Sequence, residues 1–172
     1  MPDATGLELI AKELRATEEI GEGGVLDAER RRSRAVLRID PACVGAVLEG
    51  LRERGYTFLA SLHGLDYHPH EPRLGVQYEL LDMKRRDRVT VALRVSTEAP
   101  EVDSVTPAWP AADHQEREVH DMFGVIFRGH PDLRRILMPE DYVGHPQRRD
   151  FPIGGEPVLF TYNDTDTLGS PE

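Results

Sequence analysis

The sequence predicts an α+β fold, with helices segregated to one face of a mixed or antiparallel sheet as a pair of layers. Three observations carry that prediction. Two neighbouring runs alternate apolar and polar residues at strand period, two earlier runs place apolar residues at helical spacing, and the end of the chain is rich in proline and poor in apolar residues. A length of 172 residues suits one ordinary domain.

Leu7, Ile10, Ala11 and Leu14 recur at helical spacing, which predicts an amphipathic helix after Thr5. Gly21-Glu22-Gly23-Gly24 is expected to break it, and the charged stretch from Glu29 to Arg34 is expected not to pack. Ala35 to Ile39 alternates as a strand does. Asp40-Pro41 starts a helix, with Asp as N-cap and Pro at the first helical position. Val44, Val47, Leu48 and Leu51 line its buried face, and Gly55 stops it. Cys43 lies inside this helix and reads as a quiet, half-buried thiol.

Strands follow. Tyr56 to Leu62 is aromatic and aliphatic. Leu74 to Leu81 alternates Leu74, Val76, Tyr78 and Leu80 against Gly75, Gln77 and Glu79. Val89 to Val95 alternates in the same way, and Lys84-Arg85-Arg86-Asp87 between the two is the tip of an antiparallel hairpin. Pro100, Pro107 and Pro110 bracket an irregular region around Trp109. Asp113 to Phe123 predicts a helix, with Asp113 and Glu116 spaced as a capping box. From about Glu140 onward the chain has too few apolar residues to build a core of its own, so it must lie on something or stay mobile.

Composition removes several function classes. A formal net charge of −10 argues against a nucleic-acid binder, which needs surplus cations to displace counterions. The single cysteine rules out an internal disulfide and a cysteine-built zinc or iron–sulfur site. No apolar run approaches the roughly 20 residues of a spanning helix. Met1 to Leu14 carries Asp3, Glu8 and Glu13, unlike a signal peptide. All Lys and Arg residues except Lys12 and Lys84 are arginine, whose planar fork suits gripping carboxylates and carbonyls, although on composition alone a codon bias is the better account of the count.

The densest chemistry lies in Glu116-Arg117-Glu118-Val119-His120-Asp121-Met122-Phe123-Gly124. Helical spacing lets Glu116 meet His120, Arg117 meet Asp121, and Asp113 meet Arg117. One reading is a solvated helix laced by ion pairs. The other is a carboxylate and arginine cluster that grips a partner, and Gly129-His130-Pro131-Asp132-Leu133-Arg134-Arg135 adds paired arginines after a tight turn.

These residues, together with Ile136-Leu137, Pro139-Glu140-Asp141-Tyr142, Gly144-His145-Pro146 and Arg148-Arg149-Asp150-Phe151-Pro152, resemble the signature of one family. It is the small hydrophilic C-type component in the peripheral arm of the proton-pumping NADH:quinone oxidoreductase, respiratory complex I. Ser104-Val105-Thr106 and Trp109-Pro110-Ala111-Ala112 fit that family's approach to the motif. The resemblance runs from about Leu37 to Phe160. It implies a two-layer α/β domain with a mixed, largely antiparallel sheet and an extended C-terminal tail. It implies docking against the subunit bearing the terminal iron–sulfur cluster and the large subunit forming the quinone cavity. NADH, FMN, the iron–sulfur clusters and quinone would be bound by other subunits, with no cofactor, metal or catalytic residue on this chain. The place implied is peripheral, on the cytoplasmic side of the cell membrane.

On this reading 1–34 is an N-terminal helix and charged linker, 35–138 the domain, and 139–172 a partner-wrapping tail. Glu116, Arg117, Glu118 and Asp121 would fix the helix and its register. Arg134, Arg135, Arg148 and Arg149 would offer forked donors to partner carboxylates or carbonyls. Gly124, Gly129 and Gly144 would permit turns. His130, Pro131, Pro139, Asp141, Pro146, Phe151 and Pro152 complete the signature and the expected partner interface. Three rival readings are a metal or acid–base site, from His63, His68 and His70 or from Glu116 with His120; the homologous small subunit of an energy-converting membrane hydrogenase or related ion-pumping complex; and a free-standing adaptor unrelated to respiration.

Overall fold

Strand alternation decides which way each side chain faces, and in the computed structural model it builds one core on one face of a sheet. The structure describes residues 4–31 and 34–152. Helix α1 (Ala4–Arg15) leads through a single helical turn, α2 (Gly21–Gly24), into strands β1 (Val25–Arg31) and β2 (Arg34–Ile39). A 3-10 turn over Pro41–Cys43 opens α3 (Val44–Glu53). Then come β3 (Phe58–Asp66), β4 (Leu74–Asp82), β5 (Asp87–Val95), β6 (Glu101–Asp103), a 3-10 turn over Pro110–Ala112, α4 (Asp113–Phe123) and β7 (Ile126–Arg128).

Five strands form a mixed sheet in the order β1-β2-β5-β4-β3, in which only the β2–β5 pair is parallel. β6 and β7 make a separate parallel pair, which the sequence pattern did not reveal because three residues are too few to show a period. The register sets Leu74, Val76, Tyr78 and Leu80 opposite Val95, Leu93, Val91 and Val89, all on the buried face. Leu7, Ala11 and Leu14 of α1, Val44, Val47, Leu48 and Leu51 of α3, and Val119, Met122 and Phe123 of α4 join them in a single hydrophobic cluster. The other face carries Gln77 beside Ala92, Glu79 beside Thr90 and Gly75 beside Arg94. Among the described residues, no helix is long and apolar enough to cross a membrane.

Several element expectations hold and several are corrected. The Asp40 carboxylate caps the start of the 3-10 turn by accepting from the Ala42 N–H at 2.8 Å, as the Asp-Pro pair predicts. Gly21–Gly24 makes a helical turn instead of a break. The segment from Glu29, expected not to pack, belongs to an edge strand paired antiparallel with β2 from Val25 to Arg31. Its charges are accommodated because Arg38 reaches across to Asp27 and Glu29 on the solvated face. Residues 4–31 therefore add a helix and a strand to the same core, where a helix and a loose linker were expected. β3 runs four residues past the expected Leu62, with a bulge between Leu59 and Ser61. Tyr56 lies before the strand and is buried, its hydroxyl donating to Asp87 at 2.5 Å. The hairpin tip lies where the polar run places it.

Helix α4 sits against β3 through Gly64, where an added Cβ would collide with the Phe123 ring. Gly64→Ala is expected to cost about 1–3 kcal/mol by overpacking this contact, read as a lower urea midpoint. Gly45→Ala, with nothing within 4 Å, is the control and should leave the midpoint unchanged or raise it.

Candidate docking site

Helix α4 begins from the 3-10 turn with Ala112 as N-cap and no side-chain cap, so the expected capping box does not form. Glu116 turns inward instead and is fully buried. One carboxylate oxygen accepts the Val105 N–H at 2.8 Å. The other accepts the Ser104 hydroxyl at 2.6 Å and the Thr106 hydroxyl at 3.2 Å. Burial pushes its pKa up, outweighing the bonds that favour the charged form. The fully buried His130 side chain stands 4.0 Å from this carboxylate. The Asp132 N–H donates to His130 Nδ1 at 3.0 Å, which assigns the ring proton to Nε2 and directs it to the Asp113 carbonyl at 3.2 Å.

One turn later Asp121 is also fully buried. Its Oδ2 accepts three successive backbone N–H groups, Ile136 at 3.1 Å and Leu137 and Met138 at 2.8 Å each. Its Oδ1 accepts from Arg135 at 2.6 Å, and the other arm of that guanidinium donates to the Gly144 carbonyl at 2.9 Å. Arg117 adds bonds to the Arg134 and Arg135 carbonyls, both at 3.1 Å. Burial alone would raise the Asp121 pKa, but the N–H groups of Met138 and Leu137, the Arg135 guanidinium and the Ile136 N–H hold it below the usual carboxylate value. Residues 134–138 are thus wound around one carboxylate, and the loop that results exposes apolar side chains. Ile136 is 38% and Leu137 60% exposed, and farther along the chain Val143 is 88% exposed.

The segment after Gly144 closes the other end of α4. Gly124 ends the helix at φ 77°, and an added Cβ there would meet His145 Nε2 at 2.5 Å. The last carbonyls of a helix lack partners within it. Here His145 Nδ1 bonds the Asp121 carbonyl at 2.9 Å, the Gln147 N–H the Met122 carbonyl at 3.2 Å, and Arg148 Nε the Phe123 carbonyl at 2.7 Å. Farther on, the Arg149 N–H reaches Asp66 at 2.8 Å, and Asp150 pairs with Arg73 at 2.7 and 2.5 Å. Arg73 also makes a two-pronged pair with the buried Asp66 side chain at 2.8 and 2.7 Å. Phe151 stacks on Tyr142 and covers Gly144.

These contacts correct the expected chemistry of the signature. The surface pairs Glu116–His120, Arg117–Asp121 and Asp113–Arg117 are absent, because Glu116 and Asp121 face inward, Arg117 turns to the Arg134 and Arg135 carbonyls, and His120 bonds the Val125 carbonyl at 2.8 Å. Arg135 and Arg148, expected to reach a partner, bond within the chain. Arg134 forms a two-pronged pair with Asp132 at 2.7 Å on each arm, and Arg149 reaches the His68 carbonyl at 3.4 Å. Glu118, Pro131, Pro139, Asp141 and Pro152 are exposed, Pro146 is half-buried, and Gly129 turns the chain at φ 79°. The described part of the expected tail, 139–152, folds back on the domain, while 153–172 lies outside the described residues. Among the described residues no three potential ligands gather as a metal site requires, and His63 bonds Gln77 at 3.2 Å. Sequence reasoning missed the Arg73, Asp66 and Asp150 cluster, since partners 77 residues apart leave no periodic signal.

Residues 37–157 match the family model of the respiratory-chain NADH dehydrogenase 30 Kd subunit. The chain belongs to that family. Among members of the 30 Kd family, the C component of the NADH-quinone oxidoreductase of Roseiflexus castenholzii is 51% identical over 111 residues, 64% of this chain and 64% of the relative. Its counterpart from Salinispora tropica is 46% identical over 133 residues, 75% of this chain and 54% of the relative. The chain thus spans less than two thirds of the length of these curated relatives. The trypsin-resistant fragment (1–134) of Nqo5 superposes with a TM-score of 0.63 at 31% identity, covering 74% of this chain and 98% of the fragment. A chain of an archaeal membrane-bound sulfane sulfur reductase shares the fold, with a TM-score of 0.66 at 24% identity over 96% of this chain and 94% of its own.

Proposed function

We propose that this 30 Kd-family chain is a structural subunit of the peripheral arm of a proton-translocating NADH:quinone oxidoreductase. It makes and breaks no bond itself, binds no cofactor, and holds the terminal iron–sulfur subunit against the large subunit that forms the quinone cavity. It works from the cytoplasmic side of the membrane, attached through those neighbours. One observation carries this reading: Asp121 uses its oxygens to fix a loop that leaves Ile136 and Leu137 facing solvent. A preorganised loop with exposed apolar side chains suits docking, because little conformational freedom remains to be lost when a partner closes over it. Glu116 and Asp121, the acids with the most unusual surroundings, have their oxygens occupied by donors of this chain, which supports a structural role for both.

Electron transfer to quinone depends on a fixed separation between cluster and quinone, so a rigid clip supports turnover without touching substrate. A second reading, the equivalent subunit of another ion-pumping membrane complex, draws on the fold shared with the sulfane sulfur reductase chain. The names of the Roseiflexus and Salinispora relatives favour the NADH form.

Leu137→Asp combined with Val143→Asp is the direct test. Both positions are exposed, so the isolated chain should melt within about 3 °C of the parent. Membranes carrying the variant should lose most NADH-dependent quinone reduction, and the chain should no longer co-migrate with a large assembly on native gels. Normal assembly and turnover would overturn the docking reading, and normal assembly with an altered pH profile of turnover would instead indicate a catalytic role.

A further inference from the structure

We propose that the tip of the β4–β5 hairpin is a second interaction surface, built to receive an acidic segment of a protein partner. The chain as a whole carries a net charge of −10, yet this tip presents the opposite sign. Lys84, Arg85, Arg86 and Arg88 are all exposed. The two carboxylates in the same stretch, Asp82 and Asp87, are both buried. Asp82 accepts the N–H groups of Lys84 at 2.8 Å and Arg85 at 3.0 Å, and Asp87 accepts the Tyr56 hydroxyl. Arg85 pairs with Asp82 at 3.5 Å and Arg88 with Glu79 at 3.9 Å, so these carboxylates brace the turn from inside and Lys84 and Arg86 are left as its outward-facing cations.

The tip is also held in place. Arg85 donates to the Arg54 carbonyl at the end of α3 at 3.0 Å, tying the turn to the helical layer. Arg86 adopts φ 54°, a left-handed conformation uncommon for a residue with a side chain, and so places a guanidinium where glycine would be the relaxed choice. Neither Lys84 nor Arg86 forms an ion pair with a described carboxylate, whereas Arg38, Arg54, Arg73, Arg134 and Arg135 all do. Apolar groups flank the cations. Met83 is 65% exposed, and Phe58, opposite Leu81 in the ladder, is 52% exposed. Nine residues of β4 at about 3.4 Å each put this end of the sheet roughly 31 Å from the Arg73 clip, so the tip is separate from the strap that Arg73 anchors.

Cations on a fixed turn at a sheet end that also exposes apolar side chains fit a short segment that alternates carboxylates with aliphatic residues. Forked guanidinium groups pair with carboxylates in two-pronged fashion. A nucleic-acid duplex or an anionic bilayer would bring many more negative charges within reach of the acidic body around the tip, so a short acidic protein segment is favoured.

The test uses the full chain and a fluorescein-labelled peptide alternating glutamate pairs with leucine, followed by fluorescence anisotropy. Binding should weaken about tenfold or more in Lys84→Glu with Arg86→Glu, and should weaken in the parent as salt rises from about 50 to about 300 mM. Lys84→Arg with Arg86→Lys should bind within about twofold of the parent, since both charges remain. Lys84→Gln with Arg86→Gln gives an intermediate loss and serves if charge reversal lowers the melting temperature. The proposal is overturned if the reversed variant binds the peptide as the parent does. It is equally overturned if the parent ignores the peptide, or prefers phosphatidylglycerol vesicles or a DNA duplex.

Discussion

Asp121→Ala should lower stability by about 4 kcal/mol, a value at the severe end for a single substitution, because it strands three backbone N–H groups and a guanidinium in a buried site. Urea unfolding measures the loss. Hydrogen exchange at the Ile136, Leu137 and Met138 amides locates it, since those protons lose their shared acceptor. Asp121→Asn keeps the size but turns one acceptor into a donor facing other donors, so it should recover only part of the loss. A deficit below about 1 kcal/mol for the alanine variant would show that the loop holds its shape without the carboxylate.

Arg73→Ala should cost about 3 kcal/mol, because it leaves the buried Asp66 carboxylate without its cation and frees Asp150 from the domain. Acid should act on the same clip. The bond from Arg73 holds Asp66 well below the usual carboxylate range and holds Asp150 down to about 2. Because both are depressed in the folded state, their contribution is complete above the ordinary carboxylate value near ~4 and falls away as pH drops toward 2. The parent should therefore lose melting temperature steeply between about pH 4 and pH 2, and Arg73→Ala should show a shallower dependence. Parallel pH curves for the two proteins would contradict the clip.

What was legible in the sequence follows from the range of each interaction. Leu74 to Leu81 and Val89 to Val95 carry their own period, so the hairpin and its buried face could be read directly. The Asp40-Pro41 start is likewise local, with a partner two residues away. Strand β1 was obscured because its charges are answered by Arg38, which no pattern within β1 announces. In α4 the spacing suggested ion pairs along the helix, but Glu116 and Asp121 have better partners. Donors from 104–106 and 136–138 converge on them, and helical periodicity says nothing about loops distant in sequence. The signature residues could be identified by their order, while their task of bonding to one another inside the chain required the geometry.

The strap from His145 to Arg148 supplies the terminal hydrogen bonds of α4, with a donor up to 25 residues downstream of the carbonyl it serves. As the polypeptide emerges from the ribosome, the final turn of that helix must wait for the strap before it can set. β3 and β4 wait longer still, because Asp150 is made 77 residues after the arginine it clasps. Maturation of the sheet edge is thereby deferred until residue 150 has been made, and the loop bearing Leu137 takes its final form only after Gly144 has followed it.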